Sequence, residues 1–479
     1  MTMKPVPATQ AATMDAATLD AQAIRMMQEK QKSRILRAWL ACGIFFMALP
    51  GTLLGFTNLL TISAHRGAVS LPQAWMEGHG HAQVFGWIGS FVLGIGFYSQ
   101  PARGRAALRL QLATLLLWEP AVALRWFANI YSWHWRTLVP LTAMMELAAI
   151  LLFLSAARQH KRAVAAPGAQ RTSLPPWMMA VLMSTAGLAG VVFFNAYECA
   201  RLALYGANPA FPHAVDQHYL VLLGWGFLAP VVWGFSLRWL TVLLGLPPLR
   251  SRLFVAALLL DAAGVIAGLF GSTLAATILL VAAASACVAA MRIFARPIAP
   301  ARTRGVHPSF AFFARIPYFW LVIASLLGLW AALADRAGGI WGASRHALTV
   351  GFAATMVFTI GPRILPNFIG VVGIFSRRLM AAALVFLQLG CTLRVASEPL
   401  AYEGIAGFAW KLLPVSGMLE LGGVLLFALN LVLTLAVGKS AFLPQAHAPA
   451  SPDGPSLMNG MMPTPAATNG IATHRLPPL

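Results

Sequence analysis

Three apolar segments of this chain begin with a histidine, and these histidines are the residues best able to do chemistry. They stand in His81-Ala-Gln-Val-Phe-Gly86, His218-Tyr-Leu-Val-Leu-Leu-Gly-Trp225 and His346-Ala-Leu-Thr-Val-Gly351. Histidine is costly inside hydrocarbon and is the commonest metal ligand in proteins. Its repeated placement at the start of membrane-length segments therefore indicates a bound metal ion or heme.

The histidine pattern favours heme over other metal centres. Two histidines that face each other across a helical bundle hold six-coordinate heme, and imidazole also suits copper. We predict that His81 and His346 ligate one heme, with copper as the second choice, and that His79, His213 and His218 are further candidate metal ligands. On a continuous helix His79 and His81 point about 200° apart, so only one can face the interior, and the repeat register favours His81.

Composition places these histidines in a membrane protein. Hydrophobic residues make up 59% of the chain and charged residues 10%, which excludes an ordinary soluble domain. About 17 to 25 apolar residues cross a bilayer core. Such runs occur near 38–62, 80–99, 107–126, 137–156, 177–196, 217–240, 252–270, 272–293, 316–334, 346–362, 379–397 and 412–437. We predict an all-α, polytopic membrane protein of twelve transmembrane helices over 38–437, with a partly disordered cytoplasmic leader over 1–37 and a disordered Pro/Ala-rich cytoplasmic tail over 438–479.

The net charge of +20 reflects membrane topology. When basic residues are assigned to loops, they fall by almost three to one on the side that holds the N-terminus. Lys and Arg accumulate in cytoplasmic loops, so we expect both termini in the cytoplasm. The charge therefore predicts a lipid bilayer as partner and no nucleic acid.

Four-helix units recur along the chain. His81 and His346 are each followed by glycine at +5 and +15, whereas the glycines after His218 fall at +6 and +16. In segments 4 and 12, Glu146 and Glu420 each follow a proline by six residues. The pattern predicts three pseudo-symmetric four-helix arcs. Glycine alone also marks close helix packing, so the histidines and acids carry the argument.

The remaining candidate site residues are charged side chains, several of them at matching depths within the predicted membrane spans. Arg125 and Arg394 align near the outer ends of segments 3 and 11, where they could hold heme propionates or be flanking charges with snorkelling stems. Acids inside spans are expensive and are functional candidates by default. They are Glu119, Glu146, Glu420 and Asp261. They could relay protons, orient a histidine or remain neutral.

With His79-Gly-His81, the stretch from His346 to Gly351 and twelve spans, the chain resembles the NnrS family of bacterial inner-membrane proteins. The resemblance covers roughly 38–437. It implies heme and perhaps copper, a role in nitric oxide metabolism or the nitrosative-stress response, nitric oxide or another small diatomic ligand, and an electron donor.

Twelve helices with histidines on segments 2, 6 and 10 also look like the catalytic subunit of heme-copper oxidases and nitric oxide reductases. Segment 7 here has no histidine and segment 10 has one, which argues against a dinuclear oxygen-reducing centre. A metal-free secondary transporter is the third alternative, and the histidines argue against it. Whether the chain is an enzyme stays open at this point.

Overall fold

The computed structural model describes residues 8–100, 105–164 and 174–438, which form helices and connecting loops without a β-strand. Twelve helices are long and apolar enough to span a membrane. They are α1 Met27–His65, α2 Gln73–Ser99, α3 Ala106–Tyr131, α4 Trp135–Arg158, α5 Pro176–Tyr205, α6 His213–Leu243, α7 Ser251–Leu269, α8 Thr273–Met291, α9 Phe310–Ala334, α10 Gly339–Phe368, α11 Arg377–Tyr402 and α12 Ala409–Val437. The predicted all-α, multi-pass membrane architecture is confirmed.

The helices extend further than the apolar runs that predicted them. The backbone is helical from Ala8 and continues into α1, so the described part of the predicted leader is helix. The predicted tail, apart from Gly438, lies outside the described residues. Helix ends follow local rules: Pro176 occupies the first turn of α5, and the Ser376 hydroxyl caps α11 by accepting from the Leu379 amide at 3.3 Å.

The histidines do not open their helices, which corrects the sequence-based expectation. Helix α2 begins at Gln73, α6 at His213 and α10 at Gly339, so His81, His218 and His346 lie one to two turns inside. Polar residues before each histidine end the apolar run but not the helix. Hydropathy locates the hydrocarbon-compatible stretch, whereas the backbone hydrogen bonds continue beyond it.

Three helices form an inner layer. Between 61% and 78% of the central residues of α2, α6 and α10 are buried within the protein, against 28% to 56% for the other nine. Helices adjacent in sequence pack against each other, and α12 packs against α1. Within the inner layer, the Trp87 and Phe358 rings of α2 and α10 lie 6.0 Å apart. The histidine-bearing helices are therefore the ones most shielded from lipid.

Four helices contain a π-helical segment, and each has glycine as its fifth residue. The segments are Met47–Leu53 in α1, Ala82–Gly89 in α2, Leu222–Leu228 in α6 and Ala347–Ala354 in α10. Their fifth residues are Gly51, Gly86, Gly226 and Gly351. Short π segments interrupt α-helices mostly at functional sites, and glycine lets another helix approach the widened turn.

The repeat is visible in packing contacts. A Cβ on Gly86 would lie 2.6 Å from the Phe46 side chain of α1, and one on Gly351 would lie 2.5 Å from Trp320 of α9. At +15 the partners also match, since Gly96 faces Phe153 of α4 and Gly361 faces Phe427 of α12. These glycines admit neighbouring helices, which is the packing interpretation of the +5 and +15 pattern.

The middle unit follows a different register. Its π segment begins at Leu222, so the residue just before it is Val221. In α2 and α10 that position is held by His81 and His346. His218 lies three residues earlier. The sequence alignment matched the three histidines and left the glycines one residue out of register, whereas the π segments place His218 three residues from the position of the other two.

Candidate functional site

A hydrogen-bonded network of buried side chains surrounds His81. We call it the His81 network, and it consists of His81, Glu146, Asn195, Cys199 and Arg125. His81 Nε2 donates to Glu146 Oε1 at 2.8 Å, and Asn195 Nδ2 donates to Glu146 Oε2 at 3.0 Å. Cys199 Sγ donates to Asn195 Oδ1 at 3.3 Å, and Arg125 Nη1 donates to Cys199 Sγ at 2.6 Å. The network joins α2, α4, α5 and α3 through groups that apolar surroundings would otherwise leave unpaired.

The His81 network fixes the orientation of its histidine. The Glu146 carboxylate has no exposed surface and accepts from two side chains at once. The His81 ring also stacks on Phe85 with ring centroids 4.4 Å apart. Because Nε2 is bound by the carboxylate, only Nδ1 of His81 remains for another partner.

A second cluster lies on the side of α10. We call it the His346 cluster, and it consists of His79, His346, Arg394, Glu398 and Glu420. Arg394 and Glu398 form an ion pair, with Nη2 donating to Oε1 at 3.2 Å and Nε lying 3.1 Å from Oε2. Glu398 Oε2 lies 3.9 Å from His346 Nδ1. His79 and Arg394 are within electrostatic range of His346, and Arg394 is within range of Glu420.

His79, predicted as a further candidate metal ligand, is held against α1. Its Nδ1–H donates to the Gly51 carbonyl at 2.8 Å, since a carbonyl can only accept. A Cβ on Gly55 would lie 2.5 Å from His79 Cε1, so the absence of a side chain there makes room for the imidazole. His79 and His81 point to different neighbours, as their spacing predicts, but both are engaged inside the protein.

Glycines in α10 and α11 make room for the carboxylate side chains of the His346 cluster. A Cβ at Gly342 would overlap Glu398 Oε1, and one at Gly390 would lie 2.6 Å from Glu420 Cγ. Glu420 is 8% exposed, and its Oε1 has no hydrogen-bond partner among the described residues. Glu146 and Glu420 both face protein, as their matched positions predict, but only Glu146 contacts the histidine of its own unit.

The arginines are core residues. Arg125 is 3% exposed and Arg394 is 6% exposed, so neither is a flanking charge with a snorkelling stem. Arg125 contacts a thiol, whereas Arg394 contacts a carboxylate four residues along its own helix. Arg394 Nη1 has no partner among the described residues and remains able to bind an anion.

The other predicted site residues lie apart from both clusters. His213 is exposed at the first turn of α6, beside Asp216. His218 is half-buried, and its side chain makes no hydrogen bond to any described residue. Asp261 is fully buried on α7. The structure does not bring these three residues to either histidine cluster.

Three residues of the clusters were missed by sequence reasoning. Asn195 and Cys199 are one turn apart on α5, and such polar i,i+4 pairs in an apolar helix share a face. Glu398 was missed because the predicted segment 11 ended at 397. Its position four residues after Arg394 was the available signal, since helical neighbours of opposite charge pair at this spacing.

Glu119 and Gln388 hold matched positions, since each lies six residues before the arginine of its helix, but they differ in their partners. Gln388 accepts from Trp320 Nε1 at 2.8 Å and donates to Thr355 Oγ1 at 2.6 Å. Glu119 lies beside Ser90, which matches Thr355, but Phe46 stands in the place of Trp320. Neither Glu119 oxygen has a hydrogen bond of good geometry to a described residue.

This difference predicts opposite effects of exchanging the two side chains. Glu119→Gln should raise the melting temperature or leave it unchanged, because the amide removes a buried ionisable group and can donate to Ser90. Gln388→Glu should destabilise by about 1–3 kcal/mol, because it removes the donor to Thr355. Thermal unfolding of the purified variants in one detergent measures both. A strong loss of stability in Glu119→Gln would contradict the packing explanation.

The chain matches no protein-family model and no curated protein. The assignment of function therefore depends on the geometry of the two clusters and on the sequence resemblance.

Proposed function

We propose that this chain is a heme-binding protein of the bacterial inner membrane, similar to NnrS, that acts in nitric oxide metabolism or the nitrosative-stress response. The observation that carries the proposal is that His79 and Arg394 lie within electrostatic range of His346, with both histidines on helices of the inner layer. Two imidazoles and a guanidinium are the groups that a heme iron and a propionate require.

His79 fits the role of an axial ligand. A ligating histidine usually donates its other ring N–H to a carbonyl or carboxylate, which fixes the tautomer. The bond from His79 Nδ1 to the Gly51 carbonyl does this and leaves Nε2 free. His81 meets the same rule through Glu146, but the nitrogen left free is Nδ1, which is closer to its own helix, and His81 is not one of the groups beside His346. We therefore replace the His81 and His346 pair by His79 and His346.

Arg394 fits a propionate better than Arg125 does. Arg394 Nη1 is buried and unpartnered among the described residues, and a buried guanidinium nitrogen of this kind calls for an anionic partner. Arg125 already donates Nη1 to Cys199, which lies in the His81 network. The two matched arginines thus have different tasks, and we assign the propionate to Arg394 alone.

The residues of the His346 cluster also define the chemistry that the site can support. When bound, heme supplies an iron that can bind a diatomic ligand or exchange an electron. Glu398 Oε2, 3.9 Å from His346 Nδ1, places a carboxylate beside the imidazole without a direct hydrogen bond. The inner position of α2 and α10 would shield a heme held by His79 and His346 from lipid.

A histidine copper centre receives less support. Within the described residues, no group of three or more His, Cys, Asp or Glu side chains is placed to hold a metal ion. Two imidazoles suffice for the axial positions of heme but not for a three-ligand copper site. The oxidase-like and transporter alternatives remain as outcomes of the test.

The direct test is an optical spectrum of the purified full-length protein, reduced minus oxidised, together with heme extraction. We expect the bands of six-coordinate heme, which change when nitric oxide is added. A colourless protein after expression with ample heme would overturn the proposal and leave the transporter alternative. Bands of two different hemes would favour the oxidase-like alternative.

We also propose that both termini lie in the cytoplasm, because basic residues favour that side by almost three to one. A reporter that is active only in the periplasm, fused after the C-terminus, should give no signal. The same reporter inserted in the loop between α1 and α2 should be active. A strong signal from the C-terminal fusion would reverse the topology.

A further inference from the structure

An apolar cleft of about 330 Å³ opens where α5 begins and α6 ends, away from both histidine clusters. Its wall is formed by the first turn of α5, the last turns of α6, the loop after α6 and the loop between α8 and α9. Apolar side chains of this wall include Trp177, Leu237, Val242, Leu246, Leu249 and Ile298. Among the described lining residues Thr241 alone bears a hydroxyl group, which it donates to the Leu237 carbonyl at 2.9 Å. A wall of this kind suits hydrocarbon.

Arg238 of α6 lies at the rim of this cleft. Its guanidinium carbon is 4.4 Å from the ring centre of Trp177, a residue of the wall, and 5.6 Å from that of Trp239. An aromatic ring contacts the flat face of a guanidinium, whereas the N–H donors lie in its plane. Arg238 is exposed, and its side chain makes no hydrogen bond to a described residue. The two rings thus hold a cation at the mouth of the cleft with its donors available.

Further arginines surround the same rim without acidic partners. Arg250 follows Leu249 of the wall, and the Arg302 amide donates to the Leu243 carbonyl at the end of α6 at 2.8 Å. Both arginine side chains are exposed and form no ion pair with a described residue. Asp and Glu are absent from the three stretches of sequence that contain the wall, which are 147–197, 217–260 and 262–334. The rim is therefore positively charged and complementary to an anion.

The wall is fixed in place by backbone contacts. The Ile298 amide donates to the Gly245 carbonyl at 2.9 Å, which fastens the loop between α8 and α9 to the end of α6. Gly245 has a φ of +60°, which glycine adopts without strain, and a Cβ there would overlap the Ala299 carbonyl. Because the cleft is preformed, a ligand that enters it has little protein to order.

We propose that this cleft binds one anionic phospholipid, such as phosphatidylglycerol, from the leaflet on the basic side of the membrane. An acyl chain lies against the apolar wall, and the phosphate lies beside Arg238. Tryptophans at helix ends mark the depth of lipid headgroups, and basic pockets between membrane helices bind anionic headgroups. The in-plane donors of arginine match phosphate oxygens. The site is independent of the proposed heme.

The test is native mass spectrometry of the purified, delipidated full-length protein in detergent. It is titrated with phosphatidylglycerol or with phosphatidylcholine of identical acyl chains. We expect one phosphatidylglycerol to bind roughly tenfold more tightly than phosphatidylcholine, because several arginines lie at the rim. Arg238→Gln should weaken phosphatidylglycerol binding about fivefold, the effect of one basic residue beside an anionic lipid. Val242→Trp, which fills the cleft, should weaken binding of both lipids.

Matched controls separate this site from general attraction between arginines and lipid. Arg378→Gln and Val385→Trp alter exposed residues of α11, which does not line the cleft, and both should bind lipid as the wild type does. His346→Ala should also retain the lipid, even where heme is lost. Glycerol phosphate, which lacks acyl chains, should not displace it. Equal losses in Arg238→Gln and Arg378→Gln, equal binding of the two lipids, or displacement by glycerol phosphate would overturn the site.

Discussion

Substituting His346 by alanine should remove most of the bound heme or convert its spectrum to the five-coordinate form. The alanine cannot supply an axial nitrogen, and the other described residues of the His346 cluster offer only a guanidinium and carboxylates on that side. His79→Ala should give the same result, because the bond to the Gly51 carbonyl occupies Nδ1 and leaves Nε2 as the nitrogen that can bind iron. Heme extraction and the reduced spectrum of each purified variant measure the loss.

Two further histidine variants test which histidines bind the proposed heme. His65→Ala is the matched control, since that exposed side chain contacts only the Thr61 carbonyl, and it should keep heme and spectrum unchanged. His81→Ala should keep heme but lower stability, because Glu146 and Asn195 lose a partner. If His81→Ala lost heme while His79→Ala kept it, the ligand pair would revert to His81 and His346.

Gly187→Ala should be among the most destabilising single substitutions in the chain. A Cβ on this α5 residue would overlap the Gly226 carbonyl in the π segment of α6, and a backbone atom cannot move aside as a side chain can. Separating the two helices would leave voids, and we expect a loss of more than about 2 kcal/mol. Yield of folded protein and the midpoint of thermal unfolding measure the effect.

Gly190→Ala provides the control on the same helix. The added methyl would lie 3.6 Å from Leu222, an ordinary contact. Alanine favours helix over glycine by roughly 1 kcal/mol, so this variant should be as stable as the wild type or more so. Equal stability of Gly187→Ala and Gly190→Ala would contradict the close approach of α5 and α6.

The sequence was sufficient to predict the membrane architecture, because each span needs a long apolar run and such runs are visible without partners. It also placed Glu146 and Glu420 facing protein, whereas Arg125 and Arg394 stayed open between propionate partners and flanking charges. An ionisable side chain within a span must face protein to avoid the cost of lipid exposure. Both kinds of prediction follow from the cost of exposing a side chain to the wrong surroundings, apolar side chains to water and ionisable side chains to lipid.

Which side chains contact each other inside the protein could not be predicted in the same way. Glu146 contacts His81, whereas the matched Glu420 contacts no histidine, because Glu398 has taken the place beside His346. The units differ at the positions that decide this contact. Asn129 stands four residues after Arg125, where Glu398 follows Arg394, and Glu77 stands four residues before His81, where Gly342 makes room for Glu398. The direction of His79 toward α1 likewise depends on two glycines of another helix.

The four π segments share a backbone geometry but differ in the residue that precedes them. All four have glycine at the fifth position, yet only α2 and α10 place an imidazole just before the segment, and α6 has Val221 there. The distortion therefore forms with and without a preceding histidine, and it also forms in α1, outside the inner layer. Each of the three inner helices thus contains a π segment, but only two of them have a histidine just before it. The third has an aliphatic side chain at that position.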